Sequence, residues 1–396
     1  MKILVVCQYY YPEPFRISDI CEELVKAGHE VFVVTGVPNY PEGKIYREYK
    51  HRKNRDEVIN GVKVHRCFTI GRKNNFFFRF LNYYSYSISA SLYASKIREH
   101  FDVVFVNQLS PVMMAKPAIA YKKKHKTKMI LYCFDLWPES LTLGGIKKGG
   151  LLYRAFHKIS SKIYHSADKI LISSNSFSKY FEKEFGITDT LYVPQYAEEL
   201  FDTHKCHKIA NDTVDLMFAG NVGAAQSVET IVYAASKTKD IPNLYWHIVG
   251  DGSELEHIKQ LSNSLELKNI IFHGRKPIGE MPRYYSLADA MLVTMKKSDI
   301  LSTTLPGKVQ TYMAAGKPVL GAIDGETADT IKKSGCGMCC AAEDPDALAE
   351  MVREYIKQRS SNRFAENAFN YYTKTFSKQS ALRKIFDLLE TENEDL

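Results

Sequence analysis

The sequence of 396 residues contains no run of 18 or more uncharged apolar residues, which predicts that no helix spans a membrane. The apolar run at its start, KILVVC, is shorter than the core of a secretory signal and breaks into Tyr and Pro without a small-residue cleavage site. Hydrophobic residues make up 45% and charged residues 25% of the chain, which excludes a disordered tail or a collagen. We expect a cytoplasmic globular protein.

Cysteine is sparse, with eight residues in the whole chain. That number is too low for a disulfide scaffold, and in a cytoplasmic protein we expect these thiols to be reduced. The cluster at 336–340 holds three of them, but a structural zinc site needs four ligands. His204, Cys206 and His207 would have to complete it from a distant part of the chain. Small buried residues beside Gly335 and Gly337 are the preferred interpretation.

Phosphate-binding and metal-binding signatures are also missing. The chain has no Walker A sequence and no Gly-x-Gly-x-x-Gly. Asp344 and Asp346 precede a predicted helix, where acidic residues serve as a cap and as first-turn acids. We therefore expect a reaction that needs no metal or other cofactor.

Charge and aromatic residues are unevenly divided. Residues 1–200 hold 30 Lys and Arg against 19 Asp and Glu, whereas residues 201–396 hold 23 against 26. The first half also contains 31 of the 46 Phe and Tyr residues. A basic, aromatic half indicates an anionic partner or a membrane surface.

Apolar runs alternate with amphipathic segments, which predicts an α/β fold with parallel strands joined by helices. One series has strands near 2–7, 30–35, 61–68, 102–107, 128–133 and 169–173. A polar stretch, HKCHKIANDT, follows at 204–213. A second series then has strands near 215–220, 244–249, 269–272, 289–294 and 317–321, and the end of the chain reads as helical.

This pattern predicts two doubly wound Rossmann-like domains. The expected boundaries are 1–195 for the first domain, 196–375 for the second, and 376–396 for a C-terminal helix that packs back toward the first. Ligands of such sheets bind beyond the carboxyl ends of the strands, so we expect the two domains to face a central cleft.

Three glycine-containing loops each follow a predicted strand of the second domain. They read GNVGAAQ (220–226), VGDGSE (249–254) and FHGRKP (272–277). Glycines at such turns let backbone N–H groups approach a phosphate, and the helix N-terminus that follows favours negative charge. Each loop alone is a weak signal, since Asp251 can be a cap and Arg275 a solvated side chain.

The segment SDILSTTLPGKVQTYMAAGKPVL at 298–320 is more specific. It leads through Pro306 and Gly307 into a helix that carries Lys308 in its first turn. The helix dipole disfavours a cation at that position. A bound diphosphate beside Lys308 therefore explains it better than solvent does.

Together these loops resemble the donor-binding domain of glycosyltransferase family 4, which comprises retaining enzymes of the two-Rossmann, GT-B architecture. The first half resembles the family as well, in MKILVV, in LVKAGHEVFVVTGVPNYPEGKIY (24–46) and in DLWPES (135–140). The strings NYPEGKIY and DLWPE are similar to the branch that builds capsule, O-antigen and other exopolysaccharide units.

The resemblance implies a nucleotide-sugar donor, UDP-linked, held by the second domain, with Lys308 and Asp135 as the catalytic residues. The implied donor-binding residues are Gly220, Asn221, Gly223, Gln226, Gly250, Gly252, Arg275, Thr303, Thr304, Leu305 and Thr311. The implied acceptor-binding residues are Glu13, Phe15, Arg16, Asn39, Tyr40 and Glu139.

The chain departs from the family pattern at several of these positions. Asn221 and Gln226 stand where many members have Arg and Lys, which gives Lys308 more of the diphosphate charge to neutralise. Thr303 and Thr311 replace two Glu residues that many members carry eight positions apart. Phe15 and Arg16 replace a Gly pair, and Phe134 replaces a His. Asp135 is then the nearest candidate for a general base, with a donor phosphate oxygen as the alternative and a purely structural Asp135 nearly as well supported.

Two basic segments of the first half, at 71–86 and 121–128, predict contact with an anionic membrane, because Lys and Arg are attracted to anionic lipids. The alternatives are aromatic core packing for the first and a solvated helix end for the second. The membrane candidates are Arg72, Lys73, Arg79, Lys122, Lys123 and Lys124.

The prediction is a hexosyl or N-acetylhexosaminyl transferase, peripheral on the inner face of the cell membrane. Its acceptor would be a polyprenyl-diphosphate-linked saccharide, and other polysaccharide-assembly enzymes are expected partners, whereas nucleic acid is not. Two alternatives stay open. One is a nucleotide-sugar epimerase of the same two-domain plan, and the other is a non-catalytic subunit that binds a nucleotide sugar or a lipid.

Overall fold

The computed structural model describes residues 1–72, 76–209, 211–360 and 363–394. The chain divides into two compact units. The first unit comprises residues 1–173, 177–193 and 384–396, and the second comprises residues 174–176 and 194–383.

The first unit is built on an eight-stranded sheet in the order β3-β4-β2-β1-β5-β6-β7-β8, with all neighbours parallel except β3 and β4. Its strands are β1 (Lys2–Val6), β2 (Glu30–Gly36), β3 (Asp56–Ile59), β4 (Val62–Cys67), β5 (Val103–Gln108), β6 (Lys128–Cys133), β7 (Lys169–Ile172) and β8 (Thr190–Tyr192). Its helices are α1 (Ile17–Lys26), α2 (Phe76–Ala94), α3 (Lys116–His125), α4 (Leu151–Tyr164) and α5 (Ser176–Phe185).

The second unit is built on a fully parallel six-stranded sheet in the order β11-β10-β9-β12-β13-β14. Its strands are β9 (Val214–Ala219), β10 (Leu244–Val249), β11 (Ile270–Gly274), β12 (Ala290–Thr294), β13 (Val319–Ala322) and β14 (Gly337–Cys340). Its helices are α6 (Val228–Ser236), α7 (Leu255–Ser264), α8 (Met281–Tyr285), α9 (Gly307–Ala314), α10 (Glu326–Ser334), α11 (Pro345–Gln358) and α12 (Phe364–Tyr371).

The chain ends in helix α13 (Lys378–Glu394), most of which belongs to the first unit. Within that unit Lys384 Nζ donates to the carbonyl of Tyr192 at 2.9 Å, and the rings of Phe386 and His29 lie 6.2 Å apart. Asp344 caps α11 by accepting from the N–H of Ala347 at 2.9 Å, which confirms its assignment as a helix cap.

Both sheets reverse their strand order once, which confirms the prediction of two doubly wound domains. The reversal falls between β1 and β5 in the first sheet and between β9 and β12 in the second. Strands β5 and β9 are buried along their whole length, because helices cover both faces of a parallel sheet. Ligand sites of such sheets form at the reversal, beyond the carboxyl ends of the strands.

Three strands were missed by the sequence analysis: β3, β8 and β14. All three lie at the edge of a sheet. Their residues are half-buried or exposed, so they lack the continuous apolar run that marks an interior strand.

Candidate active site

The loops after β9 and β10 touch through their backbones. A Cβ at Gly250 would lie 1.8 Å from the carbonyl oxygen of Gly220, and a Cβ at Gly252 would lie 2.2 Å from that of Val222. The N–H of Val222 donates to the carbonyl of Asp251 at 2.9 Å. This contact between the loops is by itself sufficient to require glycine at positions 250 and 252.

Asn221 and Gln226 approach each other over Gly223. The Nδ2 of Asn221 donates to Oε1 of Gln226 at 3.1 Å, and a Cβ at Gly223 would lie 2.6 Å from that Nδ2. The loop is tied to β12, since the hydroxyl of Thr294 donates to the carbonyl of Gln226 at 2.6 Å. The structure thus places these two polar side chains side by side where the strand order reverses.

Lys308 joins this loop from helix α9. Its Nζ would lie 2.9 Å from a Cβ at Gly220 and lies 3.9 Å from the centroid of the Phe218 ring. The Nζ is buried and has no hydrogen-bond partner among the described residues. Burial lowers the pKa of Lys308 to about 7, because removing an ammonium from water disfavours its charged form.

Helix α9 holds Lys308 in place through a buried tyrosine one turn further on. The hydroxyl of Tyr312 donates to the carbonyl of Ala219 at 3.0 Å and accepts from the N–H of Ala219 at 3.2 Å. Ala219 is the last residue of β9, so the helix and the glycine loop share an anchor. A buried ammonium without an anion beside a glycine turn is suited to a phosphate group.

The threonines near α9 use their hydroxyls within the protein. The side chains of Thr303 and Thr304 donate to the carbonyls of Ile300 and Leu301, both at 2.7 Å. The hydroxyl of Thr311 is nearly buried and donates to the carbonyl of Gly307 at 3.1 Å. The hydroxyl proton of Thr311, a predicted donor-binding residue, is thus engaged inside helix α9. Leu305 is buried.

Arg275 is exposed and follows Gly274, the last residue of β11. The N–H of Gly250 donates to the carbonyl of Gly274 at 3.0 Å, so the loop after β10 adjoins the end of β11. The side chain of Arg275 thus starts from the carboxyl edge of the sheet, beside the two glycine loops.

In the first unit, a buried carboxylate organises the carboxyl ends of β1 and β2. Oε1 of Glu13 accepts from the N–H groups of Asn39 at 2.8 Å and Tyr40 at 2.7 Å, and Oε2 accepts from that of Tyr10 at 3.3 Å. Burial raises the pKa of Glu13 to about 7 against the opposite effect of these three bonds. Glu13 therefore fixes the loops that carry Asn39 and Tyr40.

Three aromatic rings pack together above this carboxylate. The centroids of Tyr9 and Phe15 are 5.0 Å apart in a stacked pair, and Phe15 and Tyr40 are 5.2 Å apart. Arg16 is half-buried immediately before α1. Of the six predicted acceptor residues, the structure brings together Glu13, Phe15, Asn39 and Tyr40, with Arg16 next to Phe15 in the chain.

Arg72, one of the predicted membrane residues, is half-buried. Its Nε is buried without a hydrogen-bond partner in the described part of the chain, and its guanidinium lies over the ring of Tyr83 at 5.9 Å. Its N–H donates to Oδ1 of Asn39 at 3.1 Å. Arg72 therefore adjoins Glu13, Phe15, Asn39 and Tyr40, which together with it are called the acceptor-side cluster because the sequence predicts acceptor binding by those four residues.

Two buried amides of this cluster were also missed. Nε2 of Gln8 donates to Oδ1 of Asn82 at 2.7 Å, and Nδ2 of Asn82 donates to Oδ1 of Asn39 at 3.3 Å. Oε1 of Gln8 is buried and has no partner within the described residues. No local motif marks these positions, because Asn82 lies far from Gln8 in sequence and only the fold joins them.

Asp135 lies at the carboxyl end of β6. Its Oδ2 accepts from the N–H of Ser110 at 2.9 Å. Burial raises the pKa of Asp135, whereas the bonds from Ser110 and the nearby charge of Arg72 oppose the rise.

Glu139 lies elsewhere. Its Oε1 accepts from the hydroxyl of Tyr153 at 2.7 Å and from Nζ of Lys148 at 3.0 Å, and the side chain is buried. Oε1 of Glu139 thus joins the loop before α4 to α4 itself, while Oε2 is buried without a hydrogen-bond partner among the described residues.

The remaining membrane candidates have mixed placements. Arg79 is exposed on α2 and Lys123 is exposed on α3. Lys122 donates to Ser166 and pairs with Asp168, and Lys124 donates to the carbonyls of Ser95 and Ile97. These two lysines thus link neighbouring segments of the fold, while Lys73 lies outside the described residues.

Within the described ranges, no group of three or more His, Cys, Asp or Glu side chains is placed to hold a metal ion. None of the helices in those ranges has both the length and the apolar character needed to cross a bilayer.

The sequence matches two family models. Residues 16–193 match Glycosyltransferase Family 4, and residues 201–371 match Glycosyl transferases group 1. The chain belongs to the family 4 glycosyltransferases. This membership favours group transfer over the epimerase and the non-catalytic subunit.

Similar proteins point the same way. The putative colanic acid biosynthesis glycosyl transferase WcaI of Escherichia coli K12 is 24% identical and is covered over 99% of its length by 98% of this chain. A glycosyltransferase from Rickettsia africae matches in structure with a TM-score of 0.71 and 16% identity, over 99% of this chain and 98% of its own. Anabaena HepE in complex with UDP-glucose matches with a TM-score of 0.71 and 13% identity, over 99% of this chain and all of its own. These structures establish that this glycosyltransferase has the GT-B fold.

Proposed function

We propose that this glycosyltransferase moves a hexosyl or N-acetylhexosaminyl group from a UDP-linked donor, with retention of configuration, to a polyprenyl-diphosphate-linked saccharide in surface polysaccharide synthesis. The buried, unpartnered ammonium of Lys308 carries the donor half of the proposal. Loss of the sugar leaves negative charge on the diphosphate, and a fixed cation in a dry site stabilises that charge as it develops.

The donor would lie across the glycine loop that follows β9. Asn221 and Gln226 supply an amide pair there in place of two cations, so Lys308 is the principal positive charge at this loop. The complexes of HepE with UDP and with UDP-glucose support UDP as the carrier, since that protein shares the fold.

The acceptor would lie on the cluster of Glu13, Phe15, Asn39, Tyr40 and Arg72. Stacked rings bordered by amides and an arginine suit a sugar, which has apolar faces and a rim of hydroxyls. The role of WcaI in colanic acid biosynthesis supports a polysaccharide product.

Asp135 is the proposed general base for the acceptor hydroxyl. A carboxylate with a raised pKa at the carboxyl end of β6 has the chemistry for proton transfer. Retention without an enzyme nucleophile is consistent with front-face attack, in which a donor phosphate oxygen accepts that proton instead. The kcat of the Asp135→Asn variant distinguishes Asp135 from the donor phosphate oxygen as the proton acceptor.

Helix α2 supports attachment to the inner face of the cell membrane. Phe77, Phe80, Ile88 and Leu92 are exposed on it by 43% to 63%, and Arg79 lies among them. Apolar side chains beside a cation suit the interface of an anionic bilayer. Sedimentation with vesicles of anionic lipid tests this, and equal pelleting of the wild type and Phe77→Ser/Phe80→Ser would contradict it.

The donor proposal is tested by a thermal-shift screen against UDP-, GDP- and dTDP-sugars, because a ligand of the native state raises its melting temperature. We expect UDP-sugars to give the largest shift. Nuclear magnetic resonance of the product then reports the anomeric configuration. No transfer and no slow hydrolysis with any nucleotide sugar would overturn the proposal.

A further inference from the structure

The first unit contains a cavity of about 730 Å³ that the acceptor-side cluster does not include. It lies beyond the carboxyl ends of β2 and β4 and is closed by the segment 43–55 and by Phe78 of α2. Its volume is within the range of small-molecule sites, about 300–1,000 Å³.

The charged residues that border the cavity all have the same sign. Six Lys and Arg residues line it, and no Asp or Glu does. They are Lys44, Lys50, Arg52, Lys53, Arg55 and Arg66. Such a concentration of cations attracts a multiply charged anion.

Arg66 is a lining residue whose guanidinium carbon lies 4.5 Å from the centroid of the Tyr49 ring, which also lines the cavity. It is 2% exposed, its Nε donates to Glu57 at 2.8 Å and its Nη2 donates to the carbonyl of Tyr11 at 2.7 Å. Its Nη1 is buried without a hydrogen-bond partner in the described ranges. A buried guanidinium N–H that is left unpaired is costly, and an anionic oxygen would satisfy it.

The remaining walls are apolar. Val37, Ile45, Phe68, Ile70 and Phe78 line the cavity, and Phe68 is 63% exposed. A ligand that matches both parts carries a phosphate at one end and a hydrocarbon chain at the other.

The cavity adjoins the acceptor-side cluster through shared backbone. The N–H of Gly43 donates to the carbonyl of Asn39 at 2.7 Å, and a Cβ at Gly71 would lie 2.8 Å from the carbonyl of Gly43. Arg72, next in the chain, donates its N–H to Asn39. The cavity and the acceptor-side cluster are therefore neighbours, close enough for one ligand to reach both.

We propose that this cavity binds the diphosphate and the first isoprenoid units of the acceptor, with the cations and Arg66 on the phosphates and Phe68 and Phe78 on the chain. The inference rests on the proposed function, because it assigns a place to the lipid part of that acceptor.

Calorimetry with farnesyl diphosphate, in the presence of saturating UDP, tests the assignment while the donor site is occupied. We expect binding that Phe68→Ser or the double variant Lys50→Gln/Arg52→Gln weakens at least tenfold. The altered side chains are exposed, so the fold should tolerate the changes. Leu151→Ser and Lys158→Gln, exposed in the same unit and outside the lining, are the matched controls and should bind as the wild type does.

Farnesol, inorganic diphosphate and phosphatidylglycerol vesicles distinguish the sources of affinity. If farnesol and inorganic diphosphate both bind more weakly than farnesyl diphosphate, the site contacts both the diphosphate and the isoprenoid chain. The assignment is overturned if inorganic diphosphate binds as tightly as farnesyl diphosphate, if the cavity variants match their controls, or if phosphatidylglycerol vesicles displace farnesyl diphosphate. Absent farnesyl diphosphate binding with intact UDP binding overturns the cavity assignment alone, whereas absent binding and turnover of every nucleotide sugar overturns the proposed function.

Discussion

The ammonium of Lys308 lies 3.9 Å from the centroid of the Phe218 ring, and within the described residues it has this cation–π contact but no hydrogen bond. The ring face offers weak electrostatic compensation, and no carboxylate or carbonyl completes it there. The second unit therefore keeps a poorly solvated positive charge at the loop where the strand order reverses. Such an arrangement costs folding free energy and favours the binding of an anion.

Lys308→Met should bind UDP at least tenfold more weakly and yet unfold at a higher temperature. Replacing a buried, poorly compensated charge by an apolar side chain of similar length removes a desolvation penalty. The free energy of unfolding should therefore rise by about 1–3 kcal/mol. Calorimetry and chemical unfolding measure the two effects. Lys332→Met, exposed on α10 of the same unit, is the control and should change neither. Unaltered UDP affinity in Lys308→Met would refute the role of this side chain.

UDP affinity should fall as the pH rises above 7.5. Lys308 has a pKa of about 7 when the site is empty, and a bound diphosphate raises it, so binding takes up a proton. Above the lower pKa the affinity declines by up to roughly tenfold per pH unit, until the pKa of the complex is reached. Titrations at pH 7.5, 8.5 and 9.5 measure this slope. The slope should vanish in Lys308→Met, and an equal slope in both proteins would rule out linkage through Lys308.

Gly250→Ala should lower the free energy of unfolding by at least about 2 kcal/mol. Its φ is +149° and the new Cβ would lie 1.8 Å from the carbonyl oxygen of Gly220, so the two loops would have to separate. Gly279→Ala is a matched control in the same unit, because nothing lies within 4 Å of its Cβ position. Urea unfolding compares the two variants, and equal stabilities would contradict the close contact.

Asp135→Asn should reduce kcat by about 10²–10⁴-fold if its carboxylate accepts the acceptor proton. The amide oxygen can still accept from the N–H of Ser110, so the fold and the UDP affinity should be preserved. Initial rates at a fixed acceptor concentration measure the effect. A kcat within threefold of the wild type would assign the proton to the donor phosphate.

Glu13 should make the protein less stable as the pH rises from about 4.5 to 7. Its pKa is raised to about 7 in the folded state, so folding favours the protonated form. That contribution is complete below the unfolded pKa and is lost as the pH rises through the folded value. Melting temperatures of the wild type and Glu13→Gln between pH 4.5 and 8 measure this effect, and the wild type should lose stability relative to the non-titrating Gln variant as the pH rises. Parallel curves would exclude Glu13 as the source.

The sequence predicts those parts of the fold that depend on a local pattern of residues. Interior strands such as β5 and β9 are mostly apolar runs. Lys308 could be identified as a candidate because a cation in the first turn of a helix is disfavoured by the helix dipole. Edge strands such as β14 carry no such run, because solvent or loops replace one neighbour.

The acceptor side was only partly predictable for a different reason. In the sequence, Arg72 is one cation in a basic, aromatic segment. Only the fold brings its backbone N–H within hydrogen-bond distance of Asn39. Gln8 and Asn82 meet across more than 70 positions. Glu139 lies in a specific motif, yet its partners Lys148 and Tyr153 come from the segment that follows.

The first unit is discontinuous along the chain, since it takes back most of helix α13 after the second unit is complete. A gene fragment that stops at residue 193 would leave the ring of His29 and the carbonyl of Tyr192 without Phe386 and Lys384. Chimeras that exchange donor specificity between relatives should therefore replace residues 194–383 as an insert and keep both ends of the recipient.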